Sequence, residues 1–231
     1  MHLKVHQLAR LMDLSAVRAD VDLDEVHELA DVCKQYNCVC AFVMPCYTPL
    51  LVELLSDAPN VGVGGVVGFP SGAVSTEIKV AEARQQIAQG VNELDMVINV
   101  GLLRSGRLAE AEADIRAVVE AAEGMPVKVI LEAHYLTDQQ IILGSEISVR
   151  AGAAFVKTGT GWAPTGATFS NVELIVQTVG ESAHVKAAGG VRDLDTVVAM
   201  IRRGVTRFGV GLSSAQQILD ACAALPDGVE L

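Results

Sequence analysis

Apolar residues fall along this chain in two alternating rhythms. Leu194, Val197, Val198 and Ile201 lie at i, i+3, i+4 and i+7, and so do Val172, Ile175, Val176 and Val179. That spacing puts an apolar stripe on one face of a helix. Leu108, Ala111, Ile115, Val118, Val119 and Ala122 continue the pattern over about four turns. Amphipathic stretches end at Gly90, Gly124, Gly152, Gly180 and Gly204, and a short, nearly unbroken apolar run follows each one. Glycine just past a helix relaxes the left-handed conformation that ends it, so these five positions are predicted helix stops. Short runs that are apolar throughout are how parallel strands buried on both faces read.

Eight strands are predicted, near 11–13, 39–44, 62–67, 93–98, 127–132, 154–157, 184–187 and 206–210, with helices between them. Regular alternation of strand and helix means a parallel sheet, either closed or doubly wound. A doubly wound sheet would carry a glycine-rich fingerprint in its first strand-to-helix turn, and none is present there. Eight units in about 220 residues match an α/β fold of the (β/α)8 TIM-barrel type. No proline- or serine-rich linker interrupts the chain, so residues 1–231 are expected to form one domain.

Composition narrows the function. With 51% hydrophobic and 19% charged residues, a disordered chain is excluded. The net charge of −11 repels phosphate backbones, so no nucleic-acid partner is expected, and any small anion must be held by local donors. The acidic surface neither supports nor excludes a homodimer. No apolar run of 18 residues free of charge and glycine occurs, so no membrane span is predicted. The opening MHLKVHQLARLMD lacks a secretory pattern, and a cytoplasmic protein is expected. Five cysteines, an odd number, read as reduced thiols, and the five histidines show no close pair of zinc-motif spacing. No metal and no cofactor are expected.

In a βα barrel the chemistry lies at the C-terminal ends of the strands. Lys157 closes AAFVK and Lys186 closes AHVK, on adjacent strands. Asp95 lies within ELDMVINV, Glu132 closes the fifth strand, and Asp13 lies near the end of the first. Lys128 opens its strand and is placed at the end away from the chemistry. Two ammonium groups in one apolar mouth depress each other's pKa, and the amine so formed favours a Schiff base with a carbonyl. The competing reading is a pair of lysines locked to carboxylates as structural ion pairs. AAGGVRD and GVGLSSAQQ follow the seventh and eighth strands, where barrels commonly hold phosphate. There Gly189 and Gly190 offer backbone N–H groups, and Ser213 or Ser214 is expected to cap the last helix. Trp162 is placed as a wall of the mouth, and His134 and His184 as structural residues.

These runs carry a resemblance. LMDLS (11–15), GFPSGAVSTEIKV (68–80), ELDMVINVG (93–101), FVKTGTGW (155–162), KAAGGVRD (186–193) and RFGVGLSS (207–214) resemble the deoxyribose-phosphate aldolase family, class I aldolases with a (β/α)8 fold. The similarity runs from about residue 8 to residue 222. It implies reversible, metal-free cleavage of 2-deoxy-D-ribose 5-phosphate to acetaldehyde and D-glyceraldehyde 3-phosphate. It puts the Schiff-base lysine on Lys157, the lysine that tunes it on Lys186, and the proton-relay aspartate on Asp95. The phosphate groups fall on Gly189, Gly190 and the pair Ser213–Ser214, and the threonine of the TG turn on Thr160. Asp13 is counted with the substrate-binding residues. This chain departs from the family in Gly159, where a serine is usual, in a longer final loop, and in ending PDGVEL without the C-terminal tyrosine of some members. The alternatives are a Schiff-base aldolase of another sugar phosphate and a weakly catalytic phosphate-binding barrel.

Overall fold

The structure, a computed structural model, describes residues 2–231, so the expected single domain begins one residue outside it. The chain opens with β1 (His2–Leu3) and α1 (Val5–Ala9), then β2 (Met12–Ala16) and α2 (Leu23–Tyr36). β3 (Cys40–Val43), α3 (Thr48–Leu54), β4 (Gly62–Val67), α4 (Thr76–Ala88) and β5 (Glu93–Val97) follow. Two helices, α5 (Val100–Arg104) and α6 (Leu108–Ala121), precede β6 (Val127–Ile130). The remainder is α7 (Asp138–Arg150), β7 (Phe155–Lys157), α8 (Phe169–Val179), β8 (His184–Ala188), α9 (Leu194–Ile201), β9 (Arg207–Gly211), α10 (Leu212–Ala223) and β10 (Val229–Glu230). Strands β2 to β9 close into an eight-stranded parallel barrel with helices between successive strands, the expected (β/α)8 architecture.

Local chemistry accounts for the element boundaries. Asp22, Thr137, Thr168 and Asp193 accept from backbone N–H groups at the starts of α2, α7, α8 and α9. All five predicted stop glycines take positive φ, from 51° at Gly180 to 98° at Gly90. The last helix is an exception. Its N-cap is Gly211, with no side-chain cap, so neither serine caps it. Ser213 and Ser214 lie inside the first turn.

The chain ends add elements that periodicity misses. β1 and β10 pair antiparallel through His2–Glu230 and Leu3–Val229, and two residues are too few to register as an alternation.

Strand residues alternate between the two faces of the sheet. Outward residues such as Met12, Leu14, Leu94, Met96, Val127, Val129, Val156, Phe208 and Val210 join one continuous apolar cluster with the helices. The cluster inside the barrel holds three buried residues, Cys40, Phe42 and Val66. Fully burying one Leu, Ile or Val stabilises by about 1.5–3 kcal/mol, so the outer layer carries the fold and leaves the barrel interior free for polar groups.

Candidate active site

Inward positions along the barrel strands carry seven charges. Asp13 comes from β2, Glu93 and Asp95 from β5, Lys128 from β6, Lys157 from β7, Lys186 from β8 and Arg207 from β9. Register sets the lysines side by side: Lys157 is the partner of Lys186, and Asp95 of Lys128. One oxygen of Asp95, Oδ2, accepts from both Lys157 Nζ and Lys186 Nζ at 2.7 Å. The other, Oδ1, accepts from Lys128 Nζ at 3.1 Å. Lys186 also meets Asp13 at 2.6 Å. Beneath them Arg207 donates to Asp13 at 2.7 Å and Lys128 pairs with Glu93.

Lys128 therefore does not stand apart from the chemistry. It opens its strand, as expected, but its long stem reaches into the barrel and its ammonium touches Asp95. The expectation that it lies at the wrong end is corrected by this contact.

The protonation states follow from the packing. Burial opposes ionisation of Asp95, but Lys128, Lys157 and Lys186 together outweigh it and hold the carboxyl well below its usual range. Asp13 is lowered in the same way, with Lys186 the strongest of its cations. For Lys128, burial is overcome by Asp95, Asp13 and Glu93, and its pKa is raised. Lys157 goes the other way: burial, helped by the positive charge of Lys186, outweighs the attraction of Asp95 and lowers its pKa to about 8. Burial is thus the main cause, with the neighbouring cation second. With three carboxylates and four cations, the interior is electrically balanced when one cation is neutral. Lys157, at the rim of the cluster, is the group placed to lose its proton.

Two glycines make room for these long side chains. A Cβ at Gly209 would lie 3.0 Å from Cε of Lys186 and 3.7 Å from Cε of Lys157. A Cβ at Gly64 would lie 2.1 Å from the ring of Phe42.

Above the lysines is a cavity of about 190 Å³ lined by Phe42, Lys157, Lys186, Trp162, Gly190 and Ser214, among others. Asp13, Asp95, Thr160 and Gly189 also line it, and Ser213 does not. Of the serine pair, Ser214 alone reaches the mouth, at the start of α10, where the helix dipole favours an anion. Trp162 stands at the rim as expected. Its indole donates to Val17 O at 2.8 Å and meets Phe69 edge-on.

Two further residues hold the loops, Thr158, which the sequence pattern does not single out, and Glu132, which it places at the end of its strand. Thr158 donates its hydroxyl to Ala188 O at 2.7 Å and accepts from Ala188 N at 2.9 Å, latching β7 to β8 beside the lysines. Glu132, which does not end its strand but follows it in left-handed backbone (φ 55°), accepts from the N–H and hydroxyl of Thr160. A Cβ at Gly159 would lie 2.9 Å from that carboxylate, so any larger residue there must displace Glu132. Both threonines lie in the KTGTG run, whose short polar side chains were legible, but their partners are distant in sequence. Asp13, Cys40 and Glu93 also converge within 4.8 Å, a donor set a cation could use. Lys128 and Arg207 already fill that role, at 3.7 and 2.7 Å from Asp13.

A closed parallel barrel with a buried lysine of lowered pKa at the C-terminal end of a strand defines a class: enzymes that act on carbonyl compounds through an amine. Comparison with known proteins narrows it. The profile of the DeoC/LacD family aldolases matches residues 9–220. The deoxyribose-phosphate aldolase of Rhizobium meliloti (strain 1021) is 47% identical, covering 96% of this chain and 89% of that protein. That of Klebsiella pneumoniae subsp. pneumoniae is 45% identical, over 93% and 87%. Among solved structures, the deoxyribose phosphate aldolase from Aeropyrum pernix, described as having a unique tetrameric structure, superposes with a TM-score of 0.86 at 30% identity, covering 94% of this chain and 91% of that one. The chain belongs to the DeoC/LacD family of aldolases and is a carbon–carbon lyase.

Proposed function

We propose that this enzyme reversibly cleaves 2-deoxy-D-ribose 5-phosphate to acetaldehyde and D-glyceraldehyde 3-phosphate, through an imine on Lys157. The names of its relatives support the substrate. The carrying observation for the mechanism is the single carboxylate oxygen of Asp95 shared by Lys157 and Lys186.

The geometry supports the following sequence of steps. The free amine of Lys157 attacks the C1 aldehyde, and loss of water gives the protonated imine. Asp95, ionised and 2.7 Å from Lys157 Nζ, is placed with Lys186 to move protons to and from the carbinolamine oxygen. The cationic imine then draws the electrons of the C2–C3 bond. That bond breaks as the C3 hydroxyl proton leaves, which releases D-glyceraldehyde 3-phosphate and leaves an enamine of acetaldehyde on Lys157. Protonation at C2 and hydrolysis of the imine return the amine. The phosphate is assigned to Gly189, Gly190 and Ser214 at the polar rim of the mouth, with Thr160 near the sugar and Asp13 as the anchor beneath Lys186. The acidic protein as a whole repels a phosphate, so backbone N–H groups and the start of α10 must hold it. Among the described residues no helix is long and apolar enough to cross a membrane, and a cytoplasmic location is proposed with this substrate.

Borohydride reduction in the presence of acetaldehyde tests the reading. A reduced two-carbon adduct is expected on the peptide carrying Lys157. An adduct on Lys128 or Lys186, or none, overturns it.

A further inference from the structure

Phe42 is an aromatic ring set among charges. The Lys186 ammonium lies 4.4 Å from its ring centroid and the Lys128 ammonium 5.1 Å. The face of an aromatic ring is negative and attracts such cations, most strongly where water is excluded. Phe42 is 2% exposed and lines the cavity above Lys157. It therefore lies between the mouth, which Lys186 also lines, and the Lys128 ammonium beneath. The neighbouring strand is shaped to receive it: Gly64 is the register partner of Phe42, and a Cβ at Gly64 would come within 2.1 Å of two ring carbons. An aliphatic residue would fill the same space, but it would offer no negative face to two ammonium groups.

We propose that Phe42 is a positioning residue for the aldolase reaction: its ring holds the Lys186 ammonium against Asp95 beside Lys157 and keeps water from the Lys128 ammonium below. The inference rests on the Schiff-base reading of Lys157. The charged and titratable groups packed around Lys157 and Lys186 are Asp13, Glu93, Asp95, Lys128 and Arg207, with the Cys40 thiol, Glu132 beyond β6, and Arg18 and Arg192 at the mouth. Phe42 carries no charge, so any effect it has on the amine must act through these groups or through water.

The test reads imine formation directly. The rate of borohydride-trapped acetaldehyde adduct at Lys157 is measured by intact mass from pH 6 to 10 (a range set by the probe). Phe42→Leu keeps most of the bulk and loses the ring face, and its acid limb is expected to move up by about 0.5 pH unit. Phe42→Ala also admits water, and its limb should move by about 1 unit. Gly64→Ala, which must push the ring aside, is expected to shift the limb in the same direction, and to add no further shift in the Phe42→Ala background. If Phe42→Leu, the milder variant, and Phe42→Ala lower the melting temperature but leave the limb in place, the ring only packs and the proposal fails. If the parent itself forms no adduct at Lys157, the Schiff-base reading fails with it, and the parent control tells these outcomes apart.

Discussion

The two faces of the barrel sheet are built from the same eight strands and obey opposite rules. Outward residues merge with the helices into one apolar layer. Inward residues bring together seven charges and three buried apolar side chains. Among the described residues the helical layer outside has one buried ion pair of its own, Lys79 with Asp114 at 2.6 Å, and there one carboxylate serves one lysine. Inside, Asp95 serves three lysines at once. The outer pair is a closed account of charge that joins α4 to α6. The inner cluster has one cation too many, and that excess adds to burial, the main cause, in lowering the pKa of Lys157. Stability is therefore concentrated on one face and chemistry on the other, and substitutions should separate the two.

The largest effect is expected from Lys186→Leu. It removes a positive charge beside Lys157 and leaves Asp95 and Asp13 each short of a partner. With Lys157 acting as a free amine, as proposed, activity in the parent should rise with pH through about 8. Losing the neighbouring cation raises that value, so kcat/KM near neutral pH should fall by about 100-fold or more and partly recover in alkali. An unchanged pH profile would leave Lys186 with a packing role only. The same shift has a consequence for stability. The folded-state pKa of Lys157 lies below the ordinary lysine value of 10.5, so between about pH 8 and 10.5 the unfolded chain holds more protons at this site. Its contribution to stability should then improve as pH rises through that window, and the full penalty should be present below it.

Ile115→Ala tests the other face. Ile115 is fully buried between α6 and the sheet, and losing it should cost about 2–5 kcal/mol in denaturant unfolding. The pH profile of the surviving folded enzyme should stay where it is. A moved acid limb would show that the two faces are coupled.

At the rim, Gly190→Asp sets a negative charge where the phosphate is assigned. KM for the phosphorylated sugar should rise about tenfold, with little change for the same sugar lacking phosphate. Equal losses on both, in step with a lower melting temperature, would remove the phosphate from Gly190. The smallest effect is expected from Gly209→Ala, whose methyl would press on Ala188 and on the Lys186 stem. A several-fold drop in kcat with a nearly unchanged melting temperature would place the consequence of that crowding on the lysines. A large stability loss with unchanged kcat would place it on packing.

Much of this was legible in the residues themselves. Helical spacing and the five stop glycines are local signals, and they set the order of strands and helices without knowledge of the fold. The position of Lys157 at a strand end follows from that order, whereas Lys186, expected to close its strand, lies mid-strand in β8, and Asp13, expected near the end of its strand, is the second residue of β2. Even the inward charges obey a local rule, since within the barrel strands they fall at alternate positions. What no local pattern states is which of those charges meet. Asp95 and Lys186 are 91 positions apart in the chain, and Asp13 and Arg207 are 194. Only closure of the sheet, with its register, makes them neighbours. Lys128 was misplaced because the position of its Cα says little about where an ammonium on a four-carbon stem will end. The serine cap was misplaced because the final helix is capped at Gly211, two residues before Ser213 and three before Ser214. Periodicity reports the environment of one residue at a time, whereas the burial and the balance of charge that lower the pKa of Lys157 belong to seven residues on six strands, and they exist only once the barrel has closed around them.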